Sequence, residues 1–259
     1  MNEHEHIKSV APVGLSHLAL IMDGNGRWAT AHGEERTEGH KRGAEVVRAV
    51  VRHAHDRGLR FLTLFAFSSL NWGRPSGEVK ALMSLLQSYL EVELPELIER
   101  GVRLKVIGER ALLPSEVQAQ IIDAERRTAT EAPSMVLTLA ISYDGRRDVV
   151  RAARHLVALA RRGELLPADV AEDTLIGALS TAETPEVDLL IRTSGERRLS
   201  GFLPLEACYA ELIFLDKPWP DFNTQDLDEA LEEYTLRQRR FGLTDAQIVA
   251  HPELHSSPY

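Results

Sequence analysis

Apolar positions along the chain fall into two alternating kinds of segment. Six short unbroken runs ("HLALIM" from His17, "FLTLFAF" from Phe61, "RLKVIG" from Arg103, "MVLTLAI" from Met135, "VDLLIRT" from Val187 and "ELIFL" from Glu211) sit among longer stretches of helical periodicity. Strands buried on both faces read as continuous apolar runs, and helical connections of this length favour parallel pairing. The pattern predicts an α/β fold with one sheet of about six mainly parallel strands flanked by helices.

Two of the helical stretches differ in kind. From Gly43 to Arg57, Ala44, Val47, Val50, Val51 and Ala54 recur at i, i+3, i+4 spacing and form one stripe. From Pro75 to Arg100, Val79, Leu82, Met83, Leu85, Leu86, Leu90, Val92, Leu94 and Leu97 give a long helix with a far wider apolar face, with a bend expected near Pro95. Such width suits either a buried core helix or a wall against an apolar ligand. No repeat, low-complexity linker or charge block divides the chain. A single domain over 17–242 is expected, after a flexible segment 1–16 and before a tail at 243–259.

Composition narrows the partners. With 44% apolar residues in 259, the chain can bury a sizeable core. Its net charge of −9 weighs against nucleic acid or an anionic membrane as main partner, so any anionic ligand must be caught by local arginines. The single Cys208 rules out a disulfide within the chain and a cysteine zinc site. No apolar run reaches about 18 residues, and "MNEHEHIKSVAPVG" lacks the apolar core of a signal peptide, so a cytoplasmic protein without stable membrane insertion is expected. His4 with His6, and His53 with His55, are read as a polar terminus and a solvated helix face rather than metal ligands.

Candidate chemistry begins where the first run ends, in Asp23, Gly24, Asn25, Gly26, Arg27 and Trp28. Glycine-rich sequence between a strand and a helix offers bare amides to phosphate, and an arginine can fork onto its oxygens. The stretch lacks the GK[ST] ending of a P-loop, and Ala29 stands where a dinucleotide fingerprint wants its last glycine, which argues against ATP and NAD. An aspartate beside an anion site makes sense when a divalent cation bridges carboxylate and diphosphate, and Mg²⁺ suits oxygen ligands; a plain turn with a helix cap is the structural alternative. "FAFSSLNWGRP" and "IRTSGERRLSGF" end two further strands in polar residues, so in a parallel sheet all three clusters face one crevice.

Together the motifs "HLALIMDGNGRWA", "LFAFSS.NW.RP..EV..LM", "RLKVIG", "IRTSGE.R.S.F", "YAEL.F" and "WPDF", in this order, resemble the cis-prenyltransferases, the undecaprenyl diphosphate synthase family, across 17–242. The resemblance implies a homodimer of parallel-sheet fold that joins an allylic diphosphate to isopentenyl diphosphate with Mg²⁺ and houses the hydrocarbon in an apolar tunnel, the wide helix being one wall. On this likeness Asp23 matches the essential metal-binding aspartate, and Gly24, Asn25, Gly26 and Arg27 with Arg36 and His40 match the allylic diphosphate pocket. Arg192, Arg198 and Ser200 match the second diphosphate pocket, Glu211 a second metal carboxylate. Ser68, Asn71, Trp72, Arg74 and Glu78 match the loop and helix start that close over the substrates, with Ser68, Asn71 and Arg74 beside the chemistry.

The chain departs from the family pattern in one region. Leu70 stands where the motif has glutamate, Ser142 and Asp144 where asparagine and glycine are usual, and Ser194, Gly201, Pro204 and Leu205 where Gly, Asn, Leu and Trp are more frequent. Leu70 removes a carboxylate expected beside the reacting centre, and Met135 places bulk where a tunnel floor would lie. These features lead to an expected short product, C10 to C20. Head-to-middle coupling of two dimethylallyl units, of the lavandulyl or cyclolavandulyl kind, and a long-chain undecaprenyl-type synthase stay open, as does a non-catalytic partner subunit, against which the intact Asp23, Arg192 and Arg198 speak.

Overall fold

The computed structural model describes residues 11–237 and Arg239. The expectations for residues 1–10 and for the tail lie outside the described residues. Within the segment expected to be flexible, residues 11–16 are docked: Leu15 is buried, and the Ser16 amide donates to Asp188 Oδ2 at 2.8 Å.

All six apolar runs are strands: β1 His17–Ile21, β2 Phe61–Ser68, β3 Val102–Ile107, β4 Met135–Tyr143, β5 Leu189–Arg192 and β6 Glu211–Phe214. They form one sheet in the order β3-β4-β2-β1-β5-β6, and every neighbouring pair is parallel. Side chains alternate between its faces, as strand geometry requires. Leu18, Leu20, Leu62, Leu64, Leu137 and Leu139 enter one large core; Ala19, Ile21, Ala140 and Leu190 enter a smaller one closed by Phe202, Leu203 and Ala207 from the segment after β5.

Helices fill the connections: α1 Asn25–Ala31, α2 Arg36–Asp56, α3 Ser76–Glu99, α4 Ser115–Arg127, α5 Gly145–Arg161, α6 Glu172–Ile176 and α7 Thr224–Leu236. Helix α2 begins seven residues before the stripe that announced it, which brings Arg36 and His40 onto the same rod. It seats Val46, Val50, Val51 and Ala54 in the large core, while Ala44 and Val47 turn toward α3. Helix α3 continues through Pro95. Its wide apolar face divides: Met83, Leu90, Leu94 and Leu97 are buried in the core, Leu82, Leu85, Leu86 and Tyr89 face a cavity, and Val92 is exposed.

β1 is central, with β2 on one side and β5 on the other, so the chain reverses its winding direction there. The crevice at such a switch point, beyond the carboxyl ends of the strands, is where open α/β sheets bind ligands. Asp23, Ser68 and Arg192 stand at or just past those three ends.

Candidate active site

The turn from β1 into α1 is built around Gly24, whose φ of 106° is left-handed and whose amide donates to Asp23 Oδ1 at 2.7 Å. Thr193, just past β5, clamps the same turn: its hydroxyl lies 3.0 Å from the Asp23 amide and 2.8 Å from the Asp23 carbonyl. The carboxylate thus has a fixed direction. On its other oxygen, Oδ2, Arg192 Nη2 closes to 2.9 Å and Arg27 Nη2 to 3.1 Å. Burial pushes the Asp23 pKa up, but the hydrogen bond from Arg192 and the charges of Arg27 and Arg192 outweigh it and hold the group below the usual carboxylate range. Asp23 is therefore ionised at neutral pH.

Arg192 is almost fully buried and also donates to Ser200 Oγ at 2.9 Å and to the Arg198 carbonyl. Glu196 bridges the remaining guanidiniums, 3.5 Å from Arg27 and in contact with Arg198. Arg27, Arg192, Arg198 and Ser200, read from two separate motifs, therefore meet in one cluster around Asp23 and Glu196.

A second cluster centres on the buried Glu78 at the start of α3. It accepts from Arg36 Nε at 3.1 Å and Arg74 Nη1 at 3.1 Å, with His40 Nε2 at 3.2 Å. Arg36 reaches it by crossing Gly26, where a Cβ would come within 2.4 Å of the guanidinium, so the second glycine of the turn is needed for close approach. Burial lowers the His40 pKa, more than the hydrogen bond to Glu78 raises it, so the imidazole is neutral at pH 7. The loop after β2 is closed upon itself: Ser68 Oγ accepts the Leu70 amide at 3.3 Å and Asn71 Oδ1 accepts the Ser68 amide at 3.0 Å. Trp72 packs edge-on against Phe67 and donates its indole N–H to Ser142 Oγ at 2.9 Å. Ser142, whose φ is 53°, was absent from the sequence-derived site; its place in a departure from the family motif was the available signal.

Between α2, α3 and the sheet lies an apolar cavity of about 120 Å³, entered beside Asn25 and His40 and lined below by Val47, Leu64, Leu86, Tyr89 and Leu139. The expected tunnel thus has an observed counterpart, and α3 is both core helix and wall. Met135 does not line it: it is buried in the core four residues before Leu139 on the same face of β4.

Three sequence expectations are relocated by the fold. Glu211 opens β6, level with Leu189 and hence with Leu18 at the amino end of the sheet, whereas Asp23 lies past the carboxyl end. Glu211 pairs with Arg237 at 2.9 Å, so it does not share a metal with Asp23 of the same chain. Leu70 is exposed and lines a second cleft of about 760 Å³ with Ser142, Asp144, Arg147 and Val150, a lining that includes none of Asp23, Arg27 and Arg192. Trp28 stays on α1, stacked on His32 and donating to Asp221 at 2.7 Å, without touching either cluster.

Asp23 suits Mg²⁺ as a single carboxylate among phosphate oxygens and waters, the way this ion is usually held. Nearby, Arg192 Nε and Asn25 Oδ1 are buried without a partner, which marks the site as built for a polar ligand. No helix among the described residues is long and apolar enough to cross a membrane.

Residues 21–242 match the sequence model of a family described as "Putative undecaprenyl diphosphate synthase". The chain is 46% identical over 237 residues to the isoprenyl transferase of Brucella suis biovar 1 (strain 1330), covering 92% of this chain and 93% of that one. It is 44% identical over 234 residues to a ditrans,polycis-undecaprenyl-diphosphate synthase, (2E,6E)-farnesyl-diphosphate specific, from Aliivibrio fischeri, covering 90% and 91%. Its fold superposes with a TM-score of 0.86 and 36% identity on lavandulyl diphosphate synthase from Lavandula x intermedia in complex with dimethylallyl diphosphate, over 89% of this chain and 99% of that one. The chain belongs to the undecaprenyl diphosphate synthase family and is a prenyltransferase.

Proposed function

We propose that the protein condenses an allylic diphosphate with isopentenyl diphosphate, head to tail, in a Mg²⁺-dependent reaction that yields a short product of C10 to C20. The observation that carries this reading is the convergence of Arg27 and Arg192 on the Asp23 carboxylate, in the turn whose Met22 and Asn25 line an apolar cavity. Arg27, Arg36 and the amides after Gly24 take the allylic diphosphate; Arg192, Arg198 and Ser200 take the second. Asp23 would hold Mg²⁺, which when bound would supply charge neutralisation for the leaving diphosphate. As the allylic C–O bond breaks, the guanidiniums are already in place for the charge that develops on oxygen, so no reorganisation is needed at that moment. The attacking double bond then forms the new C–C bond and the resulting cation loses a proton to a diphosphate oxygen. Leu82, Leu86, Leu64 and Phe65 keep water from the allylic cation.

Cavity depth supports the short product. The lining runs from His40 to Val47 on α2 and from Leu82 to Tyr89 on α3. At 1.5 Å per residue this is about 10 Å. An isoprene unit, with four carbon–carbon bonds of about 1.5 Å along its backbone, takes roughly 5 Å, so two units, a C10 chain at the lower end of that range, fill it.

Head-to-middle coupling of two dimethylallyl diphosphates is the second reading. It is favoured by the likeness to the lavandulyl diphosphate synthase structure. The deciding experiment incubates the enzyme with dimethylallyl diphosphate alone, then with isopentenyl diphosphate and C5, C10 or C15 allylic partners, and identifies the dephosphorylated alcohols. We expect C10 to C20 linear alcohols only when isopentenyl diphosphate is present. Product from dimethylallyl diphosphate alone selects the second reading, and chains of C50 or longer from the C15 partner make the protein a long-chain synthase like its Aliivibrio relative.

A further inference from the structure

Among the described residues four besides glycine adopt a left-handed backbone: Ser142 at φ 53°, Ser194 at 75°, Ser200 at 54° and Leu203 at 45°. Three are serines, and those three border the candidate site. Two of the hydroxyls have partners, since Ser142 Oγ accepts from Trp72 and Ser200 Oγ accepts from Arg192. Ser194 is different: its hydroxyl makes no hydrogen bond among the described residues, although its backbone is fully engaged. The Ser194 amide donates to the Lys217 carbonyl at 2.9 Å, the Gly195 amide donates to the Leu215 carbonyl at 2.8 Å, and the Ser194 carbonyl accepts from Arg27 Nη1 at 3.1 Å.

These bonds fix the conformation without help from the side chain. Glycine adopts it freely, as Gly195 does next door at φ 77°, whereas any residue with a Cβ is strained there. A serine held in this geometry therefore supplies something glycine cannot. Its position says what that is. A Cβ added to Gly24 would lie 2.7 Å from Ser194 Oγ and 2.9 Å from Ser194 Cβ, so the hydroxyl rests against the α-carbon between the Asp23 carboxylate and the first amides of α1. It is half-buried, beside Arg27, at the edge of the crevice.

We infer that Ser194 is a further substrate-binding residue, whose hydroxyl donates to a diphosphate oxygen held at the Asp23–Arg27 turn. This rests on the diphosphate-transfer reading above and adds a donor that neither motif reading nor family likeness assigned. No bond to Ser194 is made or broken: it orients the anion against Arg27.

The test titrates inorganic pyrophosphate with Mg²⁺ into wild type, Ser194→Gly and Ser194→Ala by calorimetry, and measures KM and kcat for both diphosphate substrates. Glycine removes hydroxyl and strain together, alanine the hydroxyl alone, and the melting temperature of each checks the fold. In both variants the pyrophosphate Kd and the KM of one diphosphate substrate are expected to rise about ten- to a hundredfold, the scale of one hydrogen bond to a charged group, with kcat changed less. Unchanged Kd and KM in Ser194→Ala, which keeps the Cβ and its strain and removes only the hydroxyl, overturn the inference, as does a loss confined to Ser194→Gly, which would assign the effect to the backbone. A wild type that binds no pyrophosphate removes the diphosphate reading itself, a failure visible before the variants are compared.

Discussion

Taking away the Asp23 carboxylate leaves Arg27 and Arg192 facing one another without their shared counter-charge, and leaves the metal without its protein ligand. Asp23→Ala is expected to lower kcat by at least ~10²-fold, the scale of one transition-state electrostatic contact. Because the buried Arg192 loses its partner, the variant should also melt at a lower temperature than wild type, so turnover is compared where its melting curve shows it folded; near-normal turnover with Mg²⁺ present would refute the assignment. The two arginines of the second pocket should separate. Arg198 has a side chain 60% exposed, so Arg198→Ala raises the KM of the second diphosphate and leaves stability alone, whereas Arg192, 4% exposed, also orders Asp23 and loses both. A rise confined to the allylic substrate would mean the two pockets are interchanged. Protonation adds a pH signature. Burial lowers the pKa of His17, against its bond to the Pro185 carbonyl, and burial likewise lowers that of His40. The unfolded chain, with histidines near 6.5, then binds protons that the folded chain refuses, so their contribution is present above that value and is lost as pH falls below it. Glu206, whose carboxyl burial raises, acts in the opposite sense, one group against two. The melting temperature should fall from pH 7 to pH 5; a flat or rising profile would show that the histidines are not held neutral.

At the scale of elements, Glu78 is the joint. Its carboxylate gathers Arg36 and His40 from α2, Arg74 from the loop and its own helix α3, so the allylic pocket and the cavity wall move as one. Glu78→Gln removes the charge from a buried position facing two guanidiniums, of which Arg36 is half exposed and can turn to solvent. A loss on the order of 1–3 kcal/mol in denaturant unfolding is expected, with KM for the allylic substrate rising; an unperturbed unfolding curve would mean the network is ornamental. The elements themselves were legible because strands buried on both faces announce themselves as apolar runs, and all six are found. The division of labour on α3 was not, because core-facing and cavity-facing leucines are chemically alike, and only the crossing of α2 and the sheet tells Leu86 from Leu90. Nor was the place of Glu211 and Leu70: a motif fixes a residue's neighbours in sequence, whereas the end of the sheet it occupies follows from strand register, and the face of a loop from its internal hydrogen bonds. Thr193 and Glu196 stood inside a quoted motif, yet their roles depend on β1 and β5 lying side by side.

At the scale of the whole molecule, the two faces of the sheet are unequally covered. Helices α2, α3, α4 and α7 contribute to the large core, while the other face is closed by Phe202, Leu203 and Ala207, with Leu205 and Tyr209 left exposed. Helix α5 adjoins that segment, since a Cβ on Gly145 would meet Pro204, and it presents Val150 and Val157 to solvent among Arg147, Arg151 and Arg154. Exposed apolar side chains occur elsewhere too, as Val92 and Ile122 do on α3 and α4, but here they flank a thinly covered sheet face, which is where a subunit contact would add cover. The homodimer proposed from the family likeness would cover them, and a two-fold contact would set each α5 against its own copy. Sedimentation equilibrium should therefore return twice the 28.9 kDa chain mass. Val157→Glu, which adds two like charges across such an axis at an exposed helical position, should shift the protein toward monomer without lowering its secondary structure. A wild type that sediments as monomer defeats the dimer, and a Val157→Glu protein that remains fully dimeric moves the interface off α5. If the dimer dissociates and pyrophosphate affinity survives, the site around Asp23 is complete within one chain, as the contacts of Arg27, Arg192 and Thr193 require.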